Sequence, residues 1–339
     1  MSTFWSRGAG MLVMRTTLLA LVTLTLGALA APLAAGGQPP GKVPRIGYVM
    51  GRHGPMEFDE GFRQGLRELG YVEGQNISIE YRWGDGTEER LPALMAEVIG
   101  LNADIIVTAA TPGALAARNA TRTLPIVMAL SSDAVRDGLV ASLARPGGNI
   151  TGLSIFLPEL SGKRLELLKE TVPKLSRVAT IWNKANPGNV PLLRDMEVAA
   201  RSLGLELQSV GVRSGDDLEG AFATMARGQA QALSVLSDSF MVNNRTLVTA
   251  LAVKRRLPSI FPSSVYVQAG GLMSYGPNIV AAFQRAAYFV DRILKGAKPA
   301  DLPVEQPTRF EMVINMKTAK ALRLTFPQSI QIRVDQVIE

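Results

Sequence analysis

Residues 104–154 decide the fold, and they have the sequence DIIVTAATPGALAARNATRTLPIVMALSSDAVRDGLVASLARPGGNITGLS. The stretch contains two short apolar runs, residues 105–108 and 126–130, which begin with β-branched side chains. Such runs are typical of strands that are buried on both faces of a parallel sheet. Each run ends in small polar residues that predict a helix start, and a third strand closes the stretch. The order strand, helix, strand, helix, strand predicts an α/β fold.

The loops after the first two strands carry the first functional signal. Thr111 and Pro112 predict a helix N-cap followed by proline at the first helical position. Ser132 or Asp133 is predicted to cap a second helix that begins near Ala134. Both loops lie at the carboxyl ends of parallel strands, where open α/β sheets bind ligands. Free backbone N–H groups and the helix dipole at this edge suit a carboxylate or another anion.

The same alternation extends outward on both sides of this stretch. Upstream, strands and helices alternate over residues 43–50, 57–69, 76–83 and 87–99, so residues 43–154 predict five strands and four helices. Downstream, residues 155–277 contain a second α/β half of similar size. A helix at residues 278–294 and a strand at residues 310–315 follow the second half. They predict that the chain crosses between the halves more than once.

The predicted fold is therefore α/β, with two doubly wound parallel-sheet lobes joined by a multi-crossing hinge. Lobe 1 is predicted to comprise residues 43–154 and 278–302, and lobe 2 residues 155–277 and 303–339. The candidate crossings are residues 147–156, 274–278 and 301–310. A hinge of this kind allows two lobes to close on a ligand.

The N-terminus has the pattern of a secretory signal peptide. Arg15 precedes an apolar run, and small residues follow it, with Ala28, Leu29 and Ala30 fitting a cleavage site before Ala31. We expect residues 1–30 to be a signal peptide and residues 31–42 a linker. A permanent membrane anchor is the alternative, and the Gly/Pro-rich segment after the run favours cleavage.

Composition excludes several classes of function. The chain has 339 residues and a net charge of +7, and this modest charge without a recognisable nucleic-acid-binding motif argues against nucleic acid as a partner. The absence of cysteine excludes disulfides, thiolate metal sites, a cysteine nucleophile and a lipid anchor on an N-terminal cysteine. His53 is the only histidine, which argues against a Ser-His-Asp triad or a histidine-rich metal site. We expect no catalytic residues, no metal and no cofactor.

Several segments together resemble one known family. They are RIGYVM, FRQGLRELGYVEGQNISIEYRW, ADIIVTAATPGALAARNAT, PIVMALSSDAV, GLVASLARPGGNITGLS, GKRLELLKETVPKLSRVA and LKGAKPADLPVEQPTRFEMVINMKTAKALRL. Over about Arg45 to Leu324 the chain resembles the substrate-binding proteins of ABC transporters, in the branch related to aromatic-amino-acid binders. Arg323 departs from the glycine that the family often has, far from the expected cleft. The resemblance implies the type I periplasmic binding fold, a small solute as ligand, docking on a permease and no catalysis.

The predicted ligand-binding residues lie in loops at the carboxyl ends of strands or at the crossings. They are Arg52, His53, Thr108, Thr111, Pro112, Ser131, Ser132, Asp133, Phe156, Asn183, Asn186, Asp238, Ser239, Phe240, Tyr266 and Tyr275. For a free amino acid, the carboxylate is expected to take backbone N–H groups and the hydroxyls of Thr111 and Ser131. The ammonium is expected to take Asp238 or Asp133. Helix capping is the alternative role for each of these polar residues.

Three aromatic residues are candidates to enclose a flat side chain of the ligand, namely Phe156, Phe240 and Tyr266. Core packing is the alternative for each of them.

The predicted function is a periplasmic solute-binding receptor that feeds an ABC importer by hinge closure. The expected partners are a small-molecule ligand and an ABC permease in the inner membrane. The ligand is expected to be an amino acid or a related compound, with an aromatic amino acid as the candidate, and the receptor is expected to be a monomer. A ligand-sensing module of a signalling system and a two-domain enzyme are the alternatives. A neighbouring kinase gene would favour the first alternative, and turnover of a bound ligand the second.

Overall fold

The computed structural model describes residues 42–155 and 158–339. The predicted signal peptide, nearly all of the predicted linker and Phe156 lie outside the described residues. Among the described helices, none combines the length and the apolar character needed to cross a membrane.

The first sheet consists of five parallel strands in the order β2-β1-β3-β4-β5. The strands are β1 Arg45–Met50, β2 Ser78–Trp83, β3 Ile105–Ala109, β4 Ile126–Ser131 and β5 Ile150–Ser154. Four helices belong to this sheet, α1 Glu57–Glu68, α2 Leu91–Gly100, α3 Ala110–Ala120 and α10 Ile279–Leu294. Helices α1 and α10 cover one face, and α2 and α3 cover the other. The central strands β3 and β4 are apolar except for Thr108 and Ser131, because both of their faces are buried.

The second sheet has seven strands in the order β12-β11-β10-β9-β8-β6-β7. They are β6 Arg177–Asn183, β7 Glu206–Val212, β8 Ala232–Val235, β9 Ser259–Phe261, β10 Met273–Pro277, β11 Phe310–Asn315 and β12 Gln336–Ile338. All neighbours are parallel except β10 and β11.

Eight α-helices of the described residues accompany the second sheet. They are α4 Pro158–Thr171, α5 Asn189–Ser202, α6 Asp217–Arg227, α7 Ser239–Asn243, α8 Arg245–Lys254, α9 Ser264–Gln268, α11 Met316–Leu322 and α12 Gln328–Gln331. A short 3₁₀ helix at Pro299–Asp301 contacts β5 of the first sheet. We use lobe 1 and lobe 2 below for the first and second sheets with the helices packed on them.

The chain passes between the two lobes three times. It leaves lobe 1 after β5, returns between β10 and α10, and leaves again after Glu305. The last passage begins beside β5, because Ser154 N–H donates to Glu305 O and Glu305 N–H donates to Gly152 O, both at 2.9 Å. The second and third passages touch where Asn278 N–H donates to Arg309 O at 3.1 Å. The predicted multi-crossing hinge is therefore present.

Two predicted local features are wrong. Thr111 does not cap α3, because the helix already begins at Ala110, whose φ of 60° is left-handed. The Thr111 hydroxyl instead donates to Asp137 Oδ2 at 2.7 Å. Asp133 Oδ1 accepts from the N–H groups of Val135 and Arg136 at 3.2 and 3.0 Å, but the residues after this cap form turns rather than a helix. Gly138, with a φ of 67°, ends the turn that Asp133 begins.

Candidate functional site

A cavity of about 140 Å³ lies between the carboxyl ends of the strands of the two lobes. Lobe 1 lines it with residues that follow β1, β3 and β4, and lobe 2 with residues of α4, α7 and the loops after β6, β8 and β9. An apolar cavity of about 150 Å³ holds one benzene molecule. The space therefore fits a group of about the size of one aromatic ring.

Most of the cavity wall is apolar. The larger apolar side chains that line it are Met50, Phe58, Leu130, Ile155, Leu160, Leu192, Leu236, Val242, Val265, Ile279 and Phe283. Burial of an apolar group against such a wall stabilises a complex by about 25 cal/mol per Å² removed from water. The wall thus favours a ligand with a hydrophobic body.

Asp238 lines the lobe 2 side of the cavity and is nearly fully buried. Its Oδ1 accepts from Phe240 N–H at 2.8 Å and from Asn183 Nδ2 at 3.2 Å. Its Oδ2 accepts from Asn186 Nδ2 at 2.7 Å and from Asn189 Nδ2 at 3.4 Å. Burial raises the pKa of this carboxyl, while the hydrogen bonds from Asn186 and Asn183 oppose the rise. Asp238 therefore caps α7 and also holds the loop after β6 in place.

Arg52 lines the lobe 1 side, but its charge is already engaged. The guanidinium pairs with buried Asp59 and donates to Gly54 O. It also lies over the rings of Phe58 and Trp83, with 4.7 and 4.5 Å from Cζ to the ring centroids. An arginine with these partners serves as a rigid part of the wall.

Arg164 is a cavity residue that sequence reasoning missed. It lies on α4, is 5 % exposed and lines the cavity beside Ser161. Its Nε donates to Tyr275 O at 2.7 Å, and no carboxylate oxygen of the described side chains lies within 4.0 Å of its guanidinium. Burial lowers the pKa of this arginine to about 10, so it stays charged at neutral pH. Its place on the stripe of Leu160, Leu167 and Leu168 is the signal that could have revealed it.

The two lobes touch at the mouth of the cavity. Asn183 Nδ2 of lobe 2 donates to Glu88 Oε1 of lobe 1 at 3.1 Å, and His53 N–H donates to Asn243 Oδ1 at 3.3 Å. An ion pair at 3.1 Å joins Arg136 to Asp195. These contacts bridge the cleft, so the structure is a closed arrangement of the lobes.

Glu88 makes the stability of this arrangement dependent on pH. Burial, and then the negative charges of Asp238 and Glu89, raise the pKa of Glu88 to about 7, against the opposing hydrogen bond from Asn183. Because its pKa is raised, Glu88 binds its proton more tightly in the folded protein than in the unfolded chain. This difference stabilises the folded protein in full below the unfolded pKa of about 4.3, and the stabilisation is lost as pH rises through about 7.

We expect the free energy of unfolding of the wild type, relative to Glu88→Gln, to fall between about pH 5 and about pH 8. Urea titrations of both proteins across this range measure the difference. The same difference at every pH would contradict the expectation.

The structure brings six of the predicted site residues to the cavity wall. They are Arg52, Ser131, Ser132, Asn186, Asp238 and Ser239. Asn183 and His53 lie at the mouth, where they contact the opposite lobe. Phe156 lies outside the described residues.

The other predicted residues do not line the cavity. They are Thr108, Thr111, Pro112, Asp133, Phe240, Tyr266 and Tyr275. Tyr266 is fully buried and stacks on Phe261, with the ring centroids 4.9 Å apart. Tyr275 stacks on Phe310 at 6.3 Å, and its carbonyl accepts from Arg164. No group of three or more potential metal-ligating side chains occurs in the part of the chain that the structure describes.

Comparison with known proteins agrees with this geometry. A tyrosine-binding protein of Clostridioides difficile (strain R20291) is 28% identical over 263 residues, which cover 78% of this chain and 75% of the relative. The structure of an ABC domain in complex with L-Trp from Streptococcus pneumonia superimposes with a TM-score of 0.81 at 26% identity and covers 87% of this chain and 99% of that one.

The ligand-free, open structure of a substrate-binding protein with adhesive properties from Clostridium difficile gives a TM-score of only 0.64. It is 25% identical over the same 87% of this chain and 99% of its own. The chain as a whole thus superimposes better on the L-Trp complex than on the open protein. The prediction of a two-lobed type I periplasmic binding fold is confirmed. A profile of the family described as ABC transporter substrate binding protein matches residues 49–338, and the chain belongs to this family.

Proposed function

We propose that the protein captures an aromatic amino acid outside the cytoplasm, in the periplasm, and delivers it to the permease of an ABC importer. The observation that carries this proposal is the cavity between the lobes, which is walled by apolar side chains and has room for about one aromatic ring. Relatives that bind tyrosine and L-Trp support the choice of an aromatic amino acid.

The proposed mechanism is closure of the two lobes around the ligand. Lobe 1 would comprise residues 43–154 and 278–302, with the segment up to Glu305 paired to β5, and lobe 2 the remainder. A ligand that touches both walls binds the closed form better than the open form and so shifts the equilibrium toward closure. The permease would then recognise the closed form of a monomeric receptor.

Residues 1–30 are proposed to be a signal peptide that is removed on export. The apolar run and the small residues around Ala28 and Ala30 support this part of the proposal. The chain contains no cysteine that could carry a lipid anchor. The relatives are binding proteins, which fits a protein without catalytic activity.

The test is a thermal-shift and calorimetry screen of L-tyrosine, L-tryptophan and L-phenylalanine, with L-leucine, L-lysine and glucose as controls. A ligand that binds only the native protein stabilises it by about 2.7 kcal/mol at a hundredfold excess over Kd, so a clear rise in Tm is expected with an aromatic amino acid. The screen is done before and after unfolding and refolding, which removes any ligand carried through purification. No shift with an aromatic amino acid in the refolded protein would overturn the proposal.

A further inference from the structure

The charged side chains at the cavity differ in the partners that they have. Among the described residues that line it, Arg52 has a carboxylate partner in Asp59, and Asp238 has four amide donors. Arg164 has only one hydrogen bond, from Nε to a neutral carbonyl, and none to a carboxylate. The cavity therefore holds one guanidinium with no carboxylate of the described side chains within 4.0 Å.

A buried charge without a partner is costly, because it has lost most of its hydration. The two terminal amino groups of Arg164 have no hydrogen-bond partner among the described residues, yet they are not sealed in the core, since Arg164 lines the cavity. The fork of an arginine matches a carboxylate in shape, charge and donor number. A carboxylate in the cavity would thus supply the missing partner.

The groups that we predicted to hold a carboxylate are less available. The Thr111 hydroxyl is used by Asp137 and does not line the cavity. Ser131 does line it from lobe 1, and its buried Oγ has no partner in the described structure. Arg164 and Ser131 therefore offer donors from different lobes to the same space.

We propose that Arg164 receives the carboxylate of the bound ligand, so that the site selects carboxylates that carry a ring-sized apolar group. This inference rests on the proposed function in that it takes the cavity as the ligand site. It goes further because it makes the carboxylate of the ligand the group that is required for binding. The ammonium of the ligand contributes less to binding. Asp238 is the carboxylate that lines the cavity among the described residues, and each of its oxygens already accepts two hydrogen bonds.

The experiment measures calorimetric binding of three probes that share an indole ring. They are L-tryptophan, indole-3-propionate, which lacks the ammonium, and tryptamine, which lacks the carboxylate. The wild type is expected to bind tryptamine at least about 100-fold more weakly than L-tryptophan. It is also expected to bind indole-3-propionate more tightly than tryptamine.

Arg164→Met is the test variant. It should lose at least about 100-fold in affinity for both carboxylates and bind L-tryptophan no better than tryptamine, since the carboxylate then has no partner. Without ligand its Tm should equal or exceed that of the wild type, because an unpaired buried charge has been replaced by an apolar side chain. Arg245→Met is the matched control, because Arg245 also lies near Tyr266 but does not line the cavity.

Each outcome separates this inference from the proposed function. Binding of L-tryptophan by Arg164→Met with the affinity of the wild type would overturn the role of Arg164 and leave the amino-acid proposal intact. Binding of indole-3-propionate but of none of the three aromatic amino acids, with dependence on Arg164, would keep the inference and overturn the amino-acid proposal. Failure of the folded wild type to bind indole-3-propionate or any of the three aromatic amino acids would overturn both.

Discussion

Replacement of Asp59 with alanine is expected to lower the free energy of unfolding by about 3–5 kcal/mol. Asp59 is buried on α1, where its carboxylate pairs with Arg52 and accepts from the Tyr48 hydroxyl. It also accepts from Met56 N–H at 2.6 Å, at the start of the helix. Removal of the carboxylate leaves the Arg52 cation buried without a partner and leaves two further donors unsatisfied.

Glu60→Ala is the matched control, since Glu60 is the next residue on the same helix and also pairs with arginines, at 2.8 Å from Arg63 and 2.6 Å from Arg67. Its side chain is 53% exposed, and a surface pair is worth about 0–1 kcal/mol. Urea unfolding of the two variants measures both costs. A loss in Asp59→Ala no larger than the loss in Glu60→Ala would show that the buried pair does not stabilise the wall of the cavity.

The second large effect is expected for Asp238→Asn, with a loss of about 2–4 kcal/mol in the free energy of unfolding. Asparagine keeps the shape of the side chain but places an NH₂ group where Oδ2 accepts from Asn186 and Asn189. Donor then faces donor at a position that is nearly fully buried. The loop after β6 should move, and binding of L-tryptophan should weaken along with stability.

Asp217→Asn serves as the comparison for Asp238→Asn, because Asp217 Oδ2 accepts from the N–H groups of Arg213 and Ser214 at the exposed start of α6. Substitution of an exposed cap costs about 1 kcal/mol. Denaturant titrations and calorimetry with L-tryptophan apply to both variants. An equal loss of stability in the two variants would mean that the buried amide network around Asp238 adds nothing beyond ordinary capping.

The strands were predicted well because burial on both faces leaves a continuous apolar run in the sequence. Strand β11 was predicted with its bounds, residues 310–315, and β3 and β4 each within one residue. The tail of the chain was harder, since β12 has only three residues, two of them exposed, and therefore carries no apolar pattern. In residues 132–149, Asp133 makes the hydrogen bond of a helix cap as predicted, but turns follow it and not a helix. A capping residue marks where a helix can begin and does not determine whether the helix continues.

The cavity itself was predicted by topology, but its chemistry was not. The rule that ligands bind at the carboxyl ends of strands found Ser131, Asn186 and Asp238 on the wall. The same rule could not find Arg164, because Arg164 lies within a helix and not in a loop after a strand. What sets it apart is the absence of a carboxylate partner among the described side chains, which only the structure shows. Tyr266 shows the opposite case, because a large side chain next to a loop was taken for a ligand contact and lies stacked in the core.

Helix α10 covers the same face of the first sheet as α1, although more than a hundred residues of lobe 2 separate it from β5 in the chain. The two helices meet closely at Gly61 and Gly65 of α1, where a Cβ atom would collide with the backbone of Val280 and Gln284. A fragment that ends at Ser154 therefore has all five strands of its sheet, but one apolar face of that sheet is covered by α1 alone. Neither lobe is a continuous piece of polypeptide, so the first lobe cannot be completed during synthesis until the ribosome has passed most of the second.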